Sequence, residues 1–216
     1  MRFSCLPLLF LLVVANGSAQ GTSQRTRYDD GWRLKFHATP TFNPRSLLDF
    51  VRQSTLIIDG TVKTVLPPID TSQDHIRPGI ETHSIVSVTE ILAGSIANNS
   101  ANILLAQWGG ELGKWAIEVE DDPLVTVGKR YILFLNPDER KELPNTSGIP
   151  RFAVIGVSSG KVDITNGMIS FAKTASEEVR GYNGTNAEAF LQQLRQLIKH
   201  PYSDSQLPIN LAPKRN

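Results

Sequence analysis

The residues in this chain that could do chemistry are few and scattered. Its four histidines are His37, His75, His83 and His200. No pair of them sits four apart on a helical face or inside a His-Glu-x-x-His frame, so no single segment carries a zinc site. His75 and His83 flank one polar loop with Asp70 and Asp74 beside them. If the loop folded back, they would have the makings of a metal pair or an acid–base pair; the simpler expectation is solvated loop histidines. Glu118, Glu120, Asp121 and Asp122 gather hard oxygen ligands of the kind calcium favours. The spacing is not that of an EF-hand, and a strand end followed by an Asp-Pro turn accounts for the cluster, so no metal is expected. Ser100 and the Ser158-Ser159-Gly160 run lack a Gly-x-Ser-x-Gly frame, which leaves no nucleophile elbow, although a triad assembled from distant positions stays open. No phosphate loop, dinucleotide fingerprint or βαβ alternation is present, and no cofactor is expected. No catalytic residue is assigned.

The most conspicuous local feature is Gln107-Trp108-Gly109-Gly110-Glu111. A large aromatic borders two residues that let a backbone turn sharply or be approached closely. Trp108, Gly109, Gly110 and Glu111 are therefore the candidate ligand contacts, with Trp108 as an anchor. The competing structural expectation is a hairpin turn with Trp108 tucked into the mouth of a barrel.

The context of these residues is an exported chain. Arg2 gives a short basic start, residues 6–14 form an apolar run broken only by Pro7, and Gly17-Ser18-Ala19 supplies the small residues a signal peptidase needs, with cleavage expected after Ala19. The run is about half the ~20 residues that cross a bilayer. The only cysteine, Cys5, falls in the part removed, so the mature chain has no disulfide, thiolate metal site or cysteine nucleophile. A secreted or periplasmic bacterial setting fits that lack. The sequons at Asn98, Asn145 and Asn183 are read as chance matches. Loss of Arg2 leaves basic and acidic residues in equal number, which argues against nucleic acid or an anionic membrane as partner.

Residues 20–42 are polar and read as an extended arm, in which the alternation of Trp32, Leu34 and Phe36 allows a short strand or a segment laid across the domain. Asn43-Pro44 reads as a cap and first turn of a short helix over 44–53. Strand patterns follow at 55–66, with Gly60 marking a bulge, and at 81–92, 101–108, 114–120 and 131–135. The runs at 101–108 and 114–120 read as a hairpin turning at Gly109-Gly110, and 131–135 as a strand buried on both faces. Shorter strands are expected at 152–157, 161–164 and 168–171, with Asn166-Gly167 a hairpin turn. Asn186 caps a helix whose apolar residues recur at spacings of three and four up to Pro201.

Four phrases stand in a characteristic order: LLDFVRQSTLIIDGTVKTV, SIVSVTEILAGS, ANILLAQWGGELG and DPLVTVGKRYILFLN. Across residues 47–135 the chain resembles a class of uncharacterised exported bacterial proteins with an OB-type barrel, similar in layout to the netrin module and the tissue inhibitors of metalloproteinases. Those inhibitors place an N-terminal cysteine on the protease zinc, and a mature chain without cysteine cannot do so. The resulting expectation is a mostly β protein: a five-stranded OB-like barrel with an extra C-terminal β-hairpin, a short N-terminal helix and an amphipathic C-terminal helix. The domain would span 43–200, followed by a loose tail over 201–216. Its expected role is a non-enzymatic binding module for an extracytoplasmic protein or glycan; the rival readings are an envelope hydrolase built on His75 or His83 with Asp74 and a serine, and a structural envelope protein.

Overall fold

The computed structural model describes residues 24–28, 31–38, 44–71, 79–139 and 148–201. Strands β1 (Gln24–Tyr28) and β2 (Gly31–Phe36) precede helix α1 (Leu47–Gln53). Then come β3 (Leu56–Val65), β4 (Ile69–Asp70), β5 (Ile80–Ala93), β6 (Asn102–Trp108), β7 (Gly110–Leu112) and β8 (Trp115–Val119). Strands β9 (Arg130–Pro137), β10 (Arg151–Val154), β11 (Lys161–Thr165) and β12 (Met168–Ser170) lead to helices α2 (Glu177–Arg180) and α3 (Ala187–Lys199).

Five of these strands close on themselves. β3, β5 and β6 form an antiparallel meander, and β9 pairs antiparallel with the free edge of β3. β10 fills the remaining gap, antiparallel to β9 and parallel to β6. The ring β3-β5-β6-β10-β9 is a closed five-stranded barrel of OB type, with further strands outside it. At Gly60 an added Cβ would lie 2.8 Å from both the Ser87 carbonyl oxygen and Val86. The missing side chain lets β3 bend onto β5 at a register shift, the bulge expected there.

Strand β9 shows why the wall holds. Tyr131, Leu133 and Leu135 point into the barrel with Leu56, Ile58, Ile103, Leu105 and Phe152. Ile132 and Phe134 point the other way, into a second core roofed by α1 and α3. There the Phe50 and Phe134 rings lie 4.9 Å apart and Phe171 meets Phe190 edge-on at 5.9 Å. β9 is therefore buried on both faces, as its unbroken apolar run implies. The β11–β12 hairpin extends the sheet from β9, with Asn166 and Gly167 both at left-handed φ in its turn.

Helix α3 is capped by Asn186 and lays Phe190, Leu191 and Leu194 on this core. Ion pairs lock it down: Arg195 donates to both oxygens of Glu90 at 2.9 and 2.5 Å. Arg130 grips Asp59 at 2.6–3.1 Å and reaches Glu188 at 3.0 Å. Asp59, whose hydrogen bond is the main influence raising the Arg130 pKa, is only 1% exposed.

Within the segment over 20–42, the short strand that the alternation of Trp32, Leu34 and Phe36 allows forms as β2, which pairs with β1 and joins β8 in parallel within a second sheet ordered β1-β2-β8-β7. Two expectations need correction. The runs at 101–108 and 114–120 are not hairpin partners: β6 pairs with β5 and β10, while β8 pairs with β7 and β2. Helix α1 is capped by Ser46, not Asn43; the Ser46 hydroxyl accepts from the Asp49 N–H and the Asp49 carboxylate accepts from the Ser46 N–H. That reciprocal pair satisfies two orphan donors, a stronger start signal than Pro44 offers. No helix among the described residues is long and apolar enough to cross a membrane.

Asp59→Ala removes the buried partner of Arg130 and leaves it only the exposed Glu188, which should cost about 2–4 kcal/mol. Urea denaturation of the variant against the parent chain measures it, and a loss below ~1 kcal/mol would show that the clamp is a surface pair of ordinary worth.

Candidate functional site

The second sheet presents one face to the barrel and one to solvent. Leu34, Phe36, Leu112, Trp115, Ile117 and Val119 pack inward with Ile80. On the outer face the cross-strand register places Ala116 between Arg33 and Glu111. The small Ala116 side chain leaves a dip over which the Arg33 guanidinium donates to the Glu111 carboxylate at 2.7 Å. Glu118 stands 3.8 Å from the same guanidinium. An open cleft of about 230 Å³ follows, floored by this dip and bordered by Trp108 and by Pro123-Leu124.

Trp108 is the last residue of β6 and is 55% exposed. It is therefore not tucked into the barrel mouth, because side chains alternate along β6. Ile103 and Leu105 face the interior, which places Trp108 on the other side of the strand. Immediately after it, Gly109 and Gly110 have φ of +109° and +132°. A Cβ on Gly109 would sit 2.9 Å from the Ile117 carbonyl oxygen, and one on Gly110 2.5 Å from the Thr82 hydroxyl. Thr82 also donates to the Gly109 carbonyl at 2.6 Å. The two glycines carry the chain from the barrel wall into the second sheet, so their role is to place Trp108 and Glu111 on either side of the crossing. Of the candidates in this run, these two side chains face solvent.

The far wall of the cleft is held from inside. Lys161 of β11 donates to Asp122 at 2.6 Å and to the Pro123 carbonyl oxygen. Gln107 donates to Asp122 at 3.3 Å and accepts from the Val125 N–H at 2.9 Å. Lys161, Asp122 and Gln107 are all buried, so the ion pair carries its desolvation cost with nearly every polar atom engaged.

The other sequence candidates are placed as follows. His83 is not a solvated loop residue: it lies on β5, 3% exposed, and its Nε2 shares a hydrogen bond with the 1% exposed Glu81 carboxyl at 2.5 Å. Glu81 is its hydrogen-bond partner among the described residues. His75 and Asp74 lie outside the described residues; Asp70 ends β4. The acidic cluster is spent on neighbours: Glu118 and Glu120 pair with Lys35, Glu120 and Asp121 with His37, and Asp122 with Lys161. Among the described residues no group of three or more His, Cys, Asp or Glu side chains is placed to hold a metal ion. Ser158 shares a hydrogen bond with Thr174 at 2.8 Å, and Ser159 and Ser100 donate to the Gly156 and Asn102 carbonyls. Sequence reasoning missed Arg33, Ala116 and Lys161. Only the alternation of β2 hinted that Arg33 would stand on an outward face.

No protein-family model matches the chain, and no curated protein matches it in sequence. The class it can be assigned from its fold is the OB-like β-barrel, here carrying a second small sheet against one end.

His37 ties the end of β2 to the loop after β8, its two ring nitrogens 2.6 Å from Asp121 and 2.5 Å from Glu120. The Asp121 hydrogen bond first, and the Glu120 charge next, raise its pKa above the ordinary 6.5. A raised histidine pKa stabilises the fold fully below the unfolded value and loses that contribution as pH climbs through the folded one. An NMR titration should find His37 ionising above the ordinary value and returning toward it in Asp121→Asn. An unshifted His37 in the parent chain would show that the tether does not persist in solution.

Proposed function

We propose that this chain is an exported, non-enzymatic interaction module that engages an extracytoplasmic partner through the Trp108 cleft. The observation that carries the reading is the exposure of Trp108 at a fixed strand end, beside a dip lined by Arg33, Glu111 and Glu118. Tryptophan and arginine dominate binding hot spots, and a residue set on a closed barrel costs little ordering entropy when it binds. The export reading rests on residues 2–19 of the sequence. The resemblance to the netrin and metalloproteinase-inhibitor layout adds that such barrels serve as binding scaffolds, an analogy of fold. The cysteine-dependent inhibitory mechanism is not part of the proposal.

The hydrolase reading is the weaker one, because His83 is only 3% exposed on β5, and the Ser100, Ser158 and Ser159 hydroxyls bond to Asn102, Thr174 and Gly156. The structural-protein reading calls for a contiguous apolar patch. Among the described residues the large exposed apolar side chains, Ile91, Trp108, Val127 and Met168, belong to β5, β6, the turn before β9 and β12 respectively, which does not favour it.

In a crosslinking pull-down of extracytoplasmic material, Trp108→Ala should retain the parent circular-dichroism spectrum and melting temperature. It should lose capture by roughly 30-fold, the effect of removing an anchor worth about 2 kcal/mol. Equal capture by the variant and the parent would contradict the proposal.

A further inference from the structure

We infer that the ligand taken by this cleft is an uncharged sugar ring of a glycan; the inference rests on the interaction-module reading and names its ligand class. At about 230 Å³ the cleft is smaller than the ~300–1,000 Å³ of drug-sized sites and is open on one side. That suits one six-membered ring at a time, with the rest of an oligomer running out across the opening.

The chemistry of the walls agrees. The indole of Trp108 offers a large flat apolar surface with a negative π face, onto which the C–H face of a pyranose packs by dispersion and weak C–H contacts. The same cleft is lined by Glu111 and Glu118, acceptors for ring hydroxyl protons, and by Arg33, a planar donor for hydroxyl and ring oxygens. The Arg33–Glu111 pair at 2.7 Å presents donor and acceptor side by side, the pattern a vicinal diol matches with one hydroxyl donating and its neighbour accepting. Alternating donors and acceptors around a stacked ring distinguish sugar recognition from the capture of a single charged group.

Charge selects against the anionic alternatives. Among the described residues the cations around the dip are already paired, Arg33 with Glu111 and Glu118, Lys35 with Glu118 and Glu120, and Lys161 beneath with Asp122. The rim therefore offers no surplus positive charge to hold uronic acids, phosphates or acidic peptides. A protein partner is disfavoured by area. A stable protein interface needs ~800 Å² per side around an apolar centre, whereas the other large exposed apolar residues among those described, Ile91, Val127 and Met168, lie on elements that do not line this cleft.

The test is isothermal titration of the secreted chain with neutral tetrasaccharides and with tetragalacturonate as the anionic control. The neutral set comprises β-1,4-linked glucose, β-1,4-linked N-acetylglucosamine and α-1,4-linked glucose. At least one neutral sugar should bind, Trp108→Ala should weaken it by roughly tenfold or more with Trp108→Phe intermediate, and Glu118→Gln should weaken it without changing the melting temperature. Tetragalacturonate should bind more weakly than the neutral sugar. Binding of none of the neutral sugars, preference for tetragalacturonate, or an affinity indifferent to Trp108→Ala overturns the inference. If the sugars fail while the pull-down still captures a protein in a Trp108-dependent way, the glycan assignment falls and the interaction module stands. If both fail, both readings fall.

Discussion

The double burial of β9 is the constraint on which the rest of the molecule depends. Its interior face, Tyr131, Leu133 and Leu135, completes the barrel, and its exterior face, Ile132 and Phe134, anchors the helices. Each such side chain contributes about 1.5–3 kcal/mol when fully buried, so this one strand joins two cores. Its edges are equally committed. One pairs with β3 and the other is shared between β10 and β11, which explains the loop over residues 155–160. The chain must leave β10 and return to the same edge as β11, and it does so through Gly156 and Val157 at left-handed φ of 63° and 60°. A β-branched residue there is a strained one, held by the strands on either side that are both paired to β9.

From that frame the cleft follows. β6 is fixed between β5 and β10, so Trp108 at its end has a defined position, and the glycine crossing behind it admits no side chain. Lys161, on the strand paired to β9, reaches through the end of the barrel to hold Asp122 and Pro123. Both walls of the cleft thus trace back to the barrel, one through β6 itself and the other through β11, which is paired to β9. A site built this way is preorganised: a partner meets groups already in place, and less of its binding free energy goes to ordering them.

What was legible in the sequence had a local signature. Five consecutive apolar residues at 131–135, the Asn166-Gly167 turn and the α3 stripe each encode their own burial or geometry. The barrel class followed from the spacing of such segments and from the resemblance they carry. What was not legible depends on pairing between distant segments. The parallel contacts of β2 with β8 and of β10 with β6 leave no turn between partners, so nothing local announces them. Gly109-Gly110 looked like a hairpin because glycine pairs turn chains; here they let a strand change sheets, a role set by the Ile117 and Thr82 backbones and side chains around them. The dip at Ala116 was equally hidden, since a small residue becomes a cavity only when its cross-strand neighbours are known. The Ser46–Asp49 capping pair was available in the sequence, and the proline beside it drew the boundary too early.

The central claim is that a rigid barrel holds Trp108 in solvent at the edge of a polar dip. Acrylamide quenching of a chain whose other tryptophans, Trp32 and Trp115, are replaced by phenylalanine tests it most directly. The account predicts red-shifted emission and near-full access of Trp108 to the quencher, with the melting transition still cooperative. Blue-shifted emission that resists the quencher in the same folded chain would place the indole inside the protein and contradict the account.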